Sequence, residues 1–91
     1  MNRIIFEKAA LADFKAAIEY YDDIDKKLGD KLYRRLWQTL DYIKEYPLHF
    51  PKRYRDIRIA RTAIFSYGVH YLVENELILV LRILHHKQYY A

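Results

Sequence analysis

Apolar residues recur with the period of an α-helix in two consecutive segments of the first half of the chain. At positions 8–22 the apolar side chains fall within one arc of roughly 120°. They are Ala10, Leu11, Phe14, Ala17, Ile18 and Tyr21. At positions 26–46 four residues share an arc of roughly 80°. They are Leu32, Leu36, Leu40 and Ile43, with Tyr33 and Trp37 beside them. The pattern predicts two amphipathic helices.

The two predicted helices are separated by a short, acidic break. Asp22, Asp23 and Asp25 interrupt the apolar period, and aspartate is favoured in turns and at helix N-caps. Pro47 ends the second helix, because the residue before a proline is disfavoured in the α region. Since the break is so short, we expect the helices to pack as an antiparallel hairpin.

The remaining segments favour β-strands. Arg3–Phe6 is a short β-favouring run, and positions 56–61 alternate between polar and apolar residues. Positions 64–73 are rich in aromatic and β-branched residues, positions 76–84 are the most apolar of the chain, and positions 48–54 are expected to form a loop. The predicted order is β-α-α-β-β-β, an α+β fold. The length of 91 residues allows one domain, spanning 1–91.

The last two strands are expected to form a hairpin around Glu74 and Asn75, because asparagine tolerates the positive φ of tight turns. This turn would pair Val73 with Glu76 and Tyr71 with Ile78. One face would carry Phe65, Tyr67, Val69, Tyr71, Ile78, Val80, Arg82 and Leu84, and the other Ser66, Gly68, His70, Leu72, Leu77, Leu79, Leu81 and Ile83. Both faces are largely apolar, which predicts central strands and leaves open which face meets the helices.

Composition narrows the class of protein. Hydrophobic residues make up 53% and charged residues 31% of the chain, which is typical of a soluble globular protein and excludes a disordered tail. The absence of cysteine excludes a disulfide scaffold, a thiolate zinc site and a cysteine nucleophile. The longest apolar run, residues 77–81, is far shorter than the ~20 residues of a membrane-spanning helix. We therefore expect a cytoplasmic protein with no membrane partner.

The positive charge is confined to the second half of the chain. Residues 1–46 hold nine basic and nine acidic side chains, whereas residues 47–91 hold seven basic and three acidic ones. The second half thus carries the whole formal charge of +4. This asymmetry would favour a polyanion or an acidic protein partner, although a solvated basic surface explains it equally well.

The ordered set of elements resembles the RelE/ParE family of bacterial toxins, the toxic halves of type II toxin–antitoxin pairs. The resemblance covers nearly the whole chain. It rests on a strand entering a helix, Tyr20 and Tyr21 near the end of that helix, and a second helix ending at Pro47. It continues with the arginine-bearing strand 57–61, the aromatic strand 67–71 and the apolar strand 78–85, which closes on arginine and histidine. The resemblance implies a helix hairpin packed on a small, mostly antiparallel sheet.

The resemblance implies one of two mechanisms. RelE-like members cleave messenger RNA on the ribosome, whereas ParE-like members act on DNA gyrase without an evident active site. A cognate antitoxin neutralises both. A nuclease needs a base, an acid and cations around the phosphate, and the candidates here are Arg61, Arg82, His85, His86, Lys87 and Tyr89.

The nuclease set is incomplete by comparison with the family. Arg61 lies where RelE-like nucleases carry a strand arginine, and Lys87 lies near their later arginine. Tyr89 and Tyr90 come too soon after that strand to match the catalytic tyrosine of those nucleases. The ParE-like mechanism is therefore preferred. A ribosome-dependent endoribonuclease and a non-toxic family member acting as a binding module remain as alternatives.

Arg82 and the two histidines that follow it also admit structural roles. Arg82 interrupts an apolar strand, so its guanidinium must reach water, a carboxylate on a helix, the ring of Tyr67, or a target or antitoxin. His85 and His86 are expected to point to opposite faces of the sheet, so they cannot both serve one site from a straight strand. The histidines lack a spacing typical of a metal site, and we expect no metal and no cofactor.

Contacts with partners are expected from two groups of residues. Lys52, Arg53 and Arg55 form a basic cluster that is either a solvated loop or a contact for phosphate or an acidic partner. The other group comprises Arg58, Arg61, Arg82, Tyr33 and Trp37, as contacts for the target or the antitoxin. The antitoxin is expected to be small and to wrap the toxin with an acidic segment. Charge would then govern the rate of association and buried aromatic area the rate of dissociation.

Overall fold

The computed structural model of the chain describes residues 2–90, with Tyr90 described by its backbone alone. The elements are β1 (Arg3–Phe6), α1 (Lys8–Ile24), α2 (Lys26–Glu45), β2 (Lys52–Tyr54), β3 (Ile57–Arg61), β4 (Tyr67–Glu74), β5 (Leu77–His85) and α3 (His86–Tyr90). The predicted β-α-α-β-β-β order is confirmed. The short strand β2, in a segment expected to be a loop, and the one-turn helix α3 are additional. No helix in the described part is long and apolar enough to cross a membrane.

The helix hairpin turns on a single residue, Asp25. Its backbone is extended, and its carboxylate accepts a hydrogen bond from the backbone N–H of Lys27 at 2.9 Å, as expected of an N-cap. Gly29, in the first turns of α2, lies against Asp22 of α1. A Cβ at position 29 would lie 1.7 Å from Asp22 Oδ1. The sharp turn therefore depends on glycine at this close approach of the two helices.

The sheet has five strands in the order β1-β5-β4-β3-β2. β1 pairs with β5 in parallel, and the other neighbours are antiparallel. The prediction of a small, mostly antiparallel sheet is therefore confirmed. β1 ends where Phe6 pairs with Val80, so the outer edge of β5 has no strand partner beyond that point. The other edge is formed by β3 and the three-residue strand β2.

The β4–β5 register differs from the prediction in two ways. The turn is made by Asn75 and Glu76, with Asn75 at φ 57°, so Tyr71 pairs with Val80 and not with Ile78. A register shift then follows, because His70 pairs with Arg82 and Leu81 is left as the extra residue of a β-bulge. The bulge moves Ile83 to the face of Val69 and Tyr71, where it is buried, and moves Arg82 and Leu84 to the face of His70.

Helices α1 and α2 cover one face of the sheet and leave the other face uncovered by either of them. The core between the layers combines Leu32, Leu36, Leu40 and Ile43 of α2 with Val69, Tyr71, Ile78, Val80 and Ile83 of the sheet. The open face carries Gly68, His70, Leu72, Leu79, Arg82 and Leu84, together with Ile59 and Arg61 of β3. The sequence pattern left open which face meets the helices. The structure places Arg61 and Arg82 on the face that α1 and α2 do not cover.

The connection from β3 to β4 delays the start of β4. The strand predicted from position 64 begins at Tyr67, because Ile64 and Ser66 both have positive φ, at 76° and 59°. The backbone N–H of Phe65 donates to the carbonyl of Ala63 at 2.9 Å, which closes a γ-turn centred on Ile64. β-Branched residues rarely adopt such a conformation. The segment favours β structure by composition but forms a tight loop.

Candidate functional site

A basic cleft lies on the open face, where β3, β4 and β5 meet α3. We call it the open-face cleft; its volume is about 40 Å³. It is lined by Arg53, Ile59, Arg61, Ser66, Gly68, His70, Leu84, His86 and Tyr89. The lining includes arginine and histidine side chains but no carboxylate, so the cleft has a positive potential that favours anionic groups.

His70 forms the floor of the open-face cleft. Its side chain is 1% exposed, its Nδ1 lies 2.8 Å from the hydroxyl of Tyr54, and the ring of Tyr89 lies 5.0 Å from its own. Burial, with a smaller contribution from nearby Arg82, lowers the pKa of His70, and burial raises the pKa of Tyr54. The imidazole is thus held in its neutral form. Sequence reasoning did not select His70, although a histidine between Val69 and Tyr71 in an apolar strand was the available signal.

Arg82 is paired within the chain. Its guanidinium donates two hydrogen bonds to the carboxylate of Asp13 on α1, at 2.7 and 3.0 Å, and the bond to Asp13 raises the pKa of Arg82. Of the alternatives open for Arg82, the structure shows the ion pair with a helix carboxylate. Asp13 also accepts the backbone N–H of Ile83 at 2.9 Å, and Gln88 accepts that of His85 at 2.7 Å. These side chains occupy the N–H groups of the β5 edge beyond β1, which closes it to a further strand.

The six nuclease candidates are divided between two sides of the molecule. Arg61, His86 and Tyr89 line the open-face cleft. His85 and Lys87 line a separate groove of about 490 Å³ between α1 and β5, where His85 stacks edge-on against Tyr67 at 5.2 Å. The expectation that His85 and His86 point to opposite faces is confirmed. Arg82, the sixth, lies beside His70 with its charge balanced by Asp13. The side chain of Tyr90 lies outside the described part of the structure.

The three residues of the predicted basic cluster have different surroundings. Lys52 forms an exposed ion pair with Asp56 at 3.2 Å, Arg55 occupies the β2–β3 turn at φ 52°, and Arg53 lines the open-face cleft. Arg58 is half-buried on the helix-facing side of β3, and its guanidinium donates to the carbonyl of Phe50. That bond holds the segment after α2 against the sheet, which is a structural role.

The aromatic residues predicted to contact a partner lie together on the helix hairpin. Tyr33 and Trp37 are 50% and 39% exposed. Trp37 stacks with Phe6 of β1 at 6.2 Å and with Phe14 of α1 at 6.1 Å. With Arg34, Gln38 and Asp41 they line a shallow depression of about 400 Å³, which we call the hairpin surface. The surface combines exposed aromatic area with a rigid base, as in the centres of protein interfaces.

Comparison with solved structures finds the same fold in other proteins. Ten solved chains match. One belongs to the chromosomal ParDE toxin–antitoxin system from P. aeruginosa, with a TM-score of 0.71 and 17% sequence identity over 91% of this chain and 94% of that chain. At this identity the likeness establishes the fold. A comparison with curated protein sequences found no match.

Comparison with protein families gives the identity. The model of the family described as "ParE toxin of type II toxin-antitoxin system, parDE" matches residues 4–90. The match spans β1 to α3 and so includes the helix hairpin, the sheet and the open-face cleft. It confirms the resemblance to RelE/ParE toxins and selects the ParE branch. The chain therefore belongs to the ParE toxin family and is the toxin component of a type II toxin–antitoxin system, whose partner is an antitoxin.

Proposed function

We propose that the protein arrests bacterial growth by binding DNA gyrase through protein–protein contacts, without a catalytic site of its own. The observation that supports this is the division of the nuclease candidates, since His85 and Lys87 line the groove between α1 and β5 while Arg61 and His86 line the open-face cleft. General acid–base cleavage needs its groups within hydrogen-bond reach of one phosphodiester. A gyrase-directed toxin works where the chromosome lies, so the proposal includes a cytoplasmic location.

The charge states of Arg82 and His70 also favour a binding role. Arg82 is already neutralised by Asp13, and burial keeps His70 neutral, so neither is ready to stabilise an extra negative charge or to donate a proton near neutral pH. Surface contacts on a gyrase subunit require no such chemistry. They require exposed aromatic and arginine side chains on a rigid base.

The antitoxin, in this proposal, covers the hairpin surface. Tyr33 and Trp37 supply exposed aromatic area on α2, against which the apolar face of an amphipathic helix would pack. The formal charge of +4 favours a partner segment that is acidic overall and folds as it binds. In this proposal, the bound antitoxin silences the toxin by preventing it from engaging gyrase.

One observation favours a second candidate, the ribosome-dependent endoribonuclease. Arg61, His86 and Tyr89 do share the open-face cleft with His70, and this set contains a cation, a titratable imidazole and a phenol. We keep this alternative because such groups can position and cleave RNA when a ribosome completes the site.

A single induction experiment separates these functions. The protein is expressed alone and with the product of the neighbouring gene, while growth, messenger RNA ends and gyrase-linked DNA breaks are followed. We expect growth arrest with accumulating DNA breaks and intact transcripts, relieved by co-expression. Cleaved transcripts without DNA breaks would establish the nuclease. Normal growth with abundant folded protein would establish the non-toxic binding module.

A further inference from the structure

A second aromatic surface lies on α2, on the side away from Trp37. Its centre is a cleft of about 240 Å³ between α2, residues 47–51 and the end of β3, which we call the α2–β3 cleft. It is lined by Arg35, Gln38, Thr39, Tyr42, His49, Phe50, Arg61 and Ala63. Arg35 lies about 160° around the helix from Trp37. Trp37 packs on β1, at the opposite edge of the sheet from β2. The cleft and the hairpin surface share Gln38 at their border, but they are centred on different sides of α2.

The α2–β3 cleft holds two arginines and no acidic residue. Within residues 2–90, the side chains of Arg35 and Arg61 have no ion-pair or hydrogen-bond partner. Arg35 is half-buried and Arg61 is exposed. An anionic group between the two guanidiniums would supply charge-assisted, bidentate hydrogen bonds. The lining of the cleft therefore carries two positive charges, and no carboxylate among its lining residues neutralises them.

The aromatic wall of the α2–β3 cleft is rigid. The rings of Tyr42 and Phe50 lie 5.7 Å apart, and both pack edge-on against His49. Behind the wall, Tyr71 donates its hydroxyl proton to the carbonyl of Pro47 at 2.8 Å. Burial raises the pKa of Tyr71 to about 12, so this bond persists across the physiological pH range. A wall held in this way loses little conformational entropy when a partner binds.

Ile64 projects beside the cleft from a strained turn. It follows the lining residue Ala63, has φ 76° at the centre of the γ-turn, and is 64% exposed. The flanking residues enforce this conformation, since Thr62 is hydrogen-bonded to Tyr67 at 2.8 Å and Phe65 is buried against Tyr21 at 5.1 Å. A β-branched, apolar side chain gains nothing for the fold from such a position. Its apolar side chain is therefore available for contact with another molecule.

We propose that the α2–β3 cleft and Ile64 form the surface that contacts the toxin's target, and that it takes an acidic segment of a protein. A carboxylate of that segment binds between Arg35 and Arg61, and apolar neighbours pack on Ile64 and on the exposed Tyr46. This inference rests on the proposed function, because it requires a protein target.

A protein segment fits this surface better than a nucleic acid does. The rings of Tyr42, His49 and Phe50 pack edge against face within their own cluster, so part of their ring surface is already in contact and not free for stacking bases. The exposed apolar or aromatic side chains around the cleft are Tyr42, Tyr46, Leu48 and Ile64. Aromatic and apolar side chains beside arginine are typical of protein interfaces.

The test uses two variants and two matched controls. Arg35→Gln with Arg61→Gln removes both guanidiniums, and Ile64→Asn removes the apolar contact with a residue that tolerates positive φ. Lys15→Gln with Lys27→Gln removes the same charge from exposed positions elsewhere, and Ile24→Asn replaces an exposed isoleucine at the end of α1. Thermal melts establish that each protein is folded. Binding to purified gyrase subunits, to the antitoxin and to duplex DNA is measured at low and high salt, alongside growth arrest on expression.

We expect both test variants to lose at least tenfold in affinity for gyrase and to relieve growth arrest, while antitoxin affinity stays within twofold of the parent. The double arginine variant should also show a flatter salt dependence. The controls should behave like the parent. The surface assignment is overturned by folded variants that keep target affinity, by an equal loss of antitoxin affinity, or by duplex DNA binding that depends on the same residues.

The same measurements distinguish a wrong surface from a wrong target. If the parent arrests growth but binds no gyrase subunit, gyrase is not the target, and the growth assay alone decides the surface. Relief of arrest by the test variants, with antitoxin binding intact, then supports it for another protein target, and persistent arrest overturns it. A parent that does not arrest growth overturns the surface and the proposed function together.

Discussion

At the scale of single residues, His70 couples the open-face cleft to the stability of the fold. It lies on a strand between buried apolar residues, and its environment comprises Tyr54, Tyr89, Arg82 and Asp13. Burial and the positive charge of Arg82 both disfavour the imidazolium, which outweighs the opposing effect of Asp13. The folded state therefore binds a proton at His70 less readily than the unfolded chain does.

The lowered pKa of His70 predicts a pH dependence of stability. The unfolded chain takes up a proton near the ordinary value of 6.5, so the free energy of unfolding should be maximal above that pH and should fall as the pH drops toward the folded value. One such group contributes at most about 1.4 kcal/mol per pH unit. Urea melts between about pH 5.5 and 7.5 should show this slope. His70→Gln should flatten it, and an unchanged slope in this variant would contradict the assignment to His70.

The pair of Asp13 and Arg82 predicts unequal costs of substitution. Arg82 is about half exposed, so Arg82→Ala should cost less than about 1 kcal/mol. Asp13→Ala also removes the acceptor of the Ile83 N–H and should cost about 1–2 kcal/mol. Denaturant melts of both single variants and the double variant measure the coupling, expected at about 0.5–1 kcal/mol. Equal costs for the two single substitutions would contradict this account.

At the scale of elements, the turn between the two helices depends on one glycine. A Cβ on Gly29 would lie 1.7 Å from Asp22 Oδ1 and 3.1 Å from the Asp22 backbone nitrogen. Gly29→Ala should therefore destabilise the protein by about 1–3 kcal/mol, although alanine is the better helix former by about 1 kcal/mol. In the Asp22→Ala background most of this loss should disappear, because the nearest clash is gone. Equal losses in both backgrounds, measured by urea melts, would mean that the clash is not the cause.

Substitutions at Ile64 in the β3–β4 turn are expected to stabilise the fold while weakening binding to the target. Ile64 is exposed and strained, so Ile64→Gly or Ile64→Asn should raise the free energy of unfolding by about 1 kcal/mol. The matched change at Ile24, which lies in a helix, should not raise it. Thermal melts of the four variants check this. A loss of stability at position 64 would show that the side chain contributes to the fold after all.

At the scale of the whole molecule, the strand order separates two surfaces. β1 and β2 form opposite edges of the sheet, and α2 lies across the layer between them. Trp37 therefore leans toward β1, whereas Arg35 and Tyr42 face the end of β3. An antitoxin on the hairpin surface and a target at the α2–β3 cleft would occupy neighbouring but different sides of α2.

This separation predicts how Trp37 affects the antitoxin. Trp37→Ala should speed dissociation of the antitoxin about tenfold or more and change association less than about twofold, because it removes buried contact area rather than charge. Surface plasmon resonance measures both rates, and a thermal melt corrects for any unfolded fraction. Tyr20→Ala, at an exposed aromatic position on α1, is the control. Unchanged dissociation would place the antitoxin elsewhere.

Local patterns in the sequence were sufficient to predict the main helices and strands and to indicate the protein family. The 3.6-residue period around Leu32, Leu36 and Leu40 predicted α2, and Pro47 set its end within one residue. The alternation at positions 56–61 predicted β3. These features depend on neighbours along the chain, whose backbone preferences are local. The ordered set of such features was sufficient to indicate the toxin family, and the family match confirmed it.

Only the tertiary structure decided which residues meet. The bulge at Leu81 reversed the faces of Ile83, Arg82 and Leu84, because a shift of one residue in pairing sends each side chain to the opposite side of the sheet. The tertiary structure likewise places Asp13 beside Arg82, although 69 positions separate the two residues in the sequence. Helix period could not show that Arg35 shares a cleft with Arg61, since that depends on where β3 lies in the sheet. Contacts between distant elements follow from packing, and packing is what a local pattern does not encode.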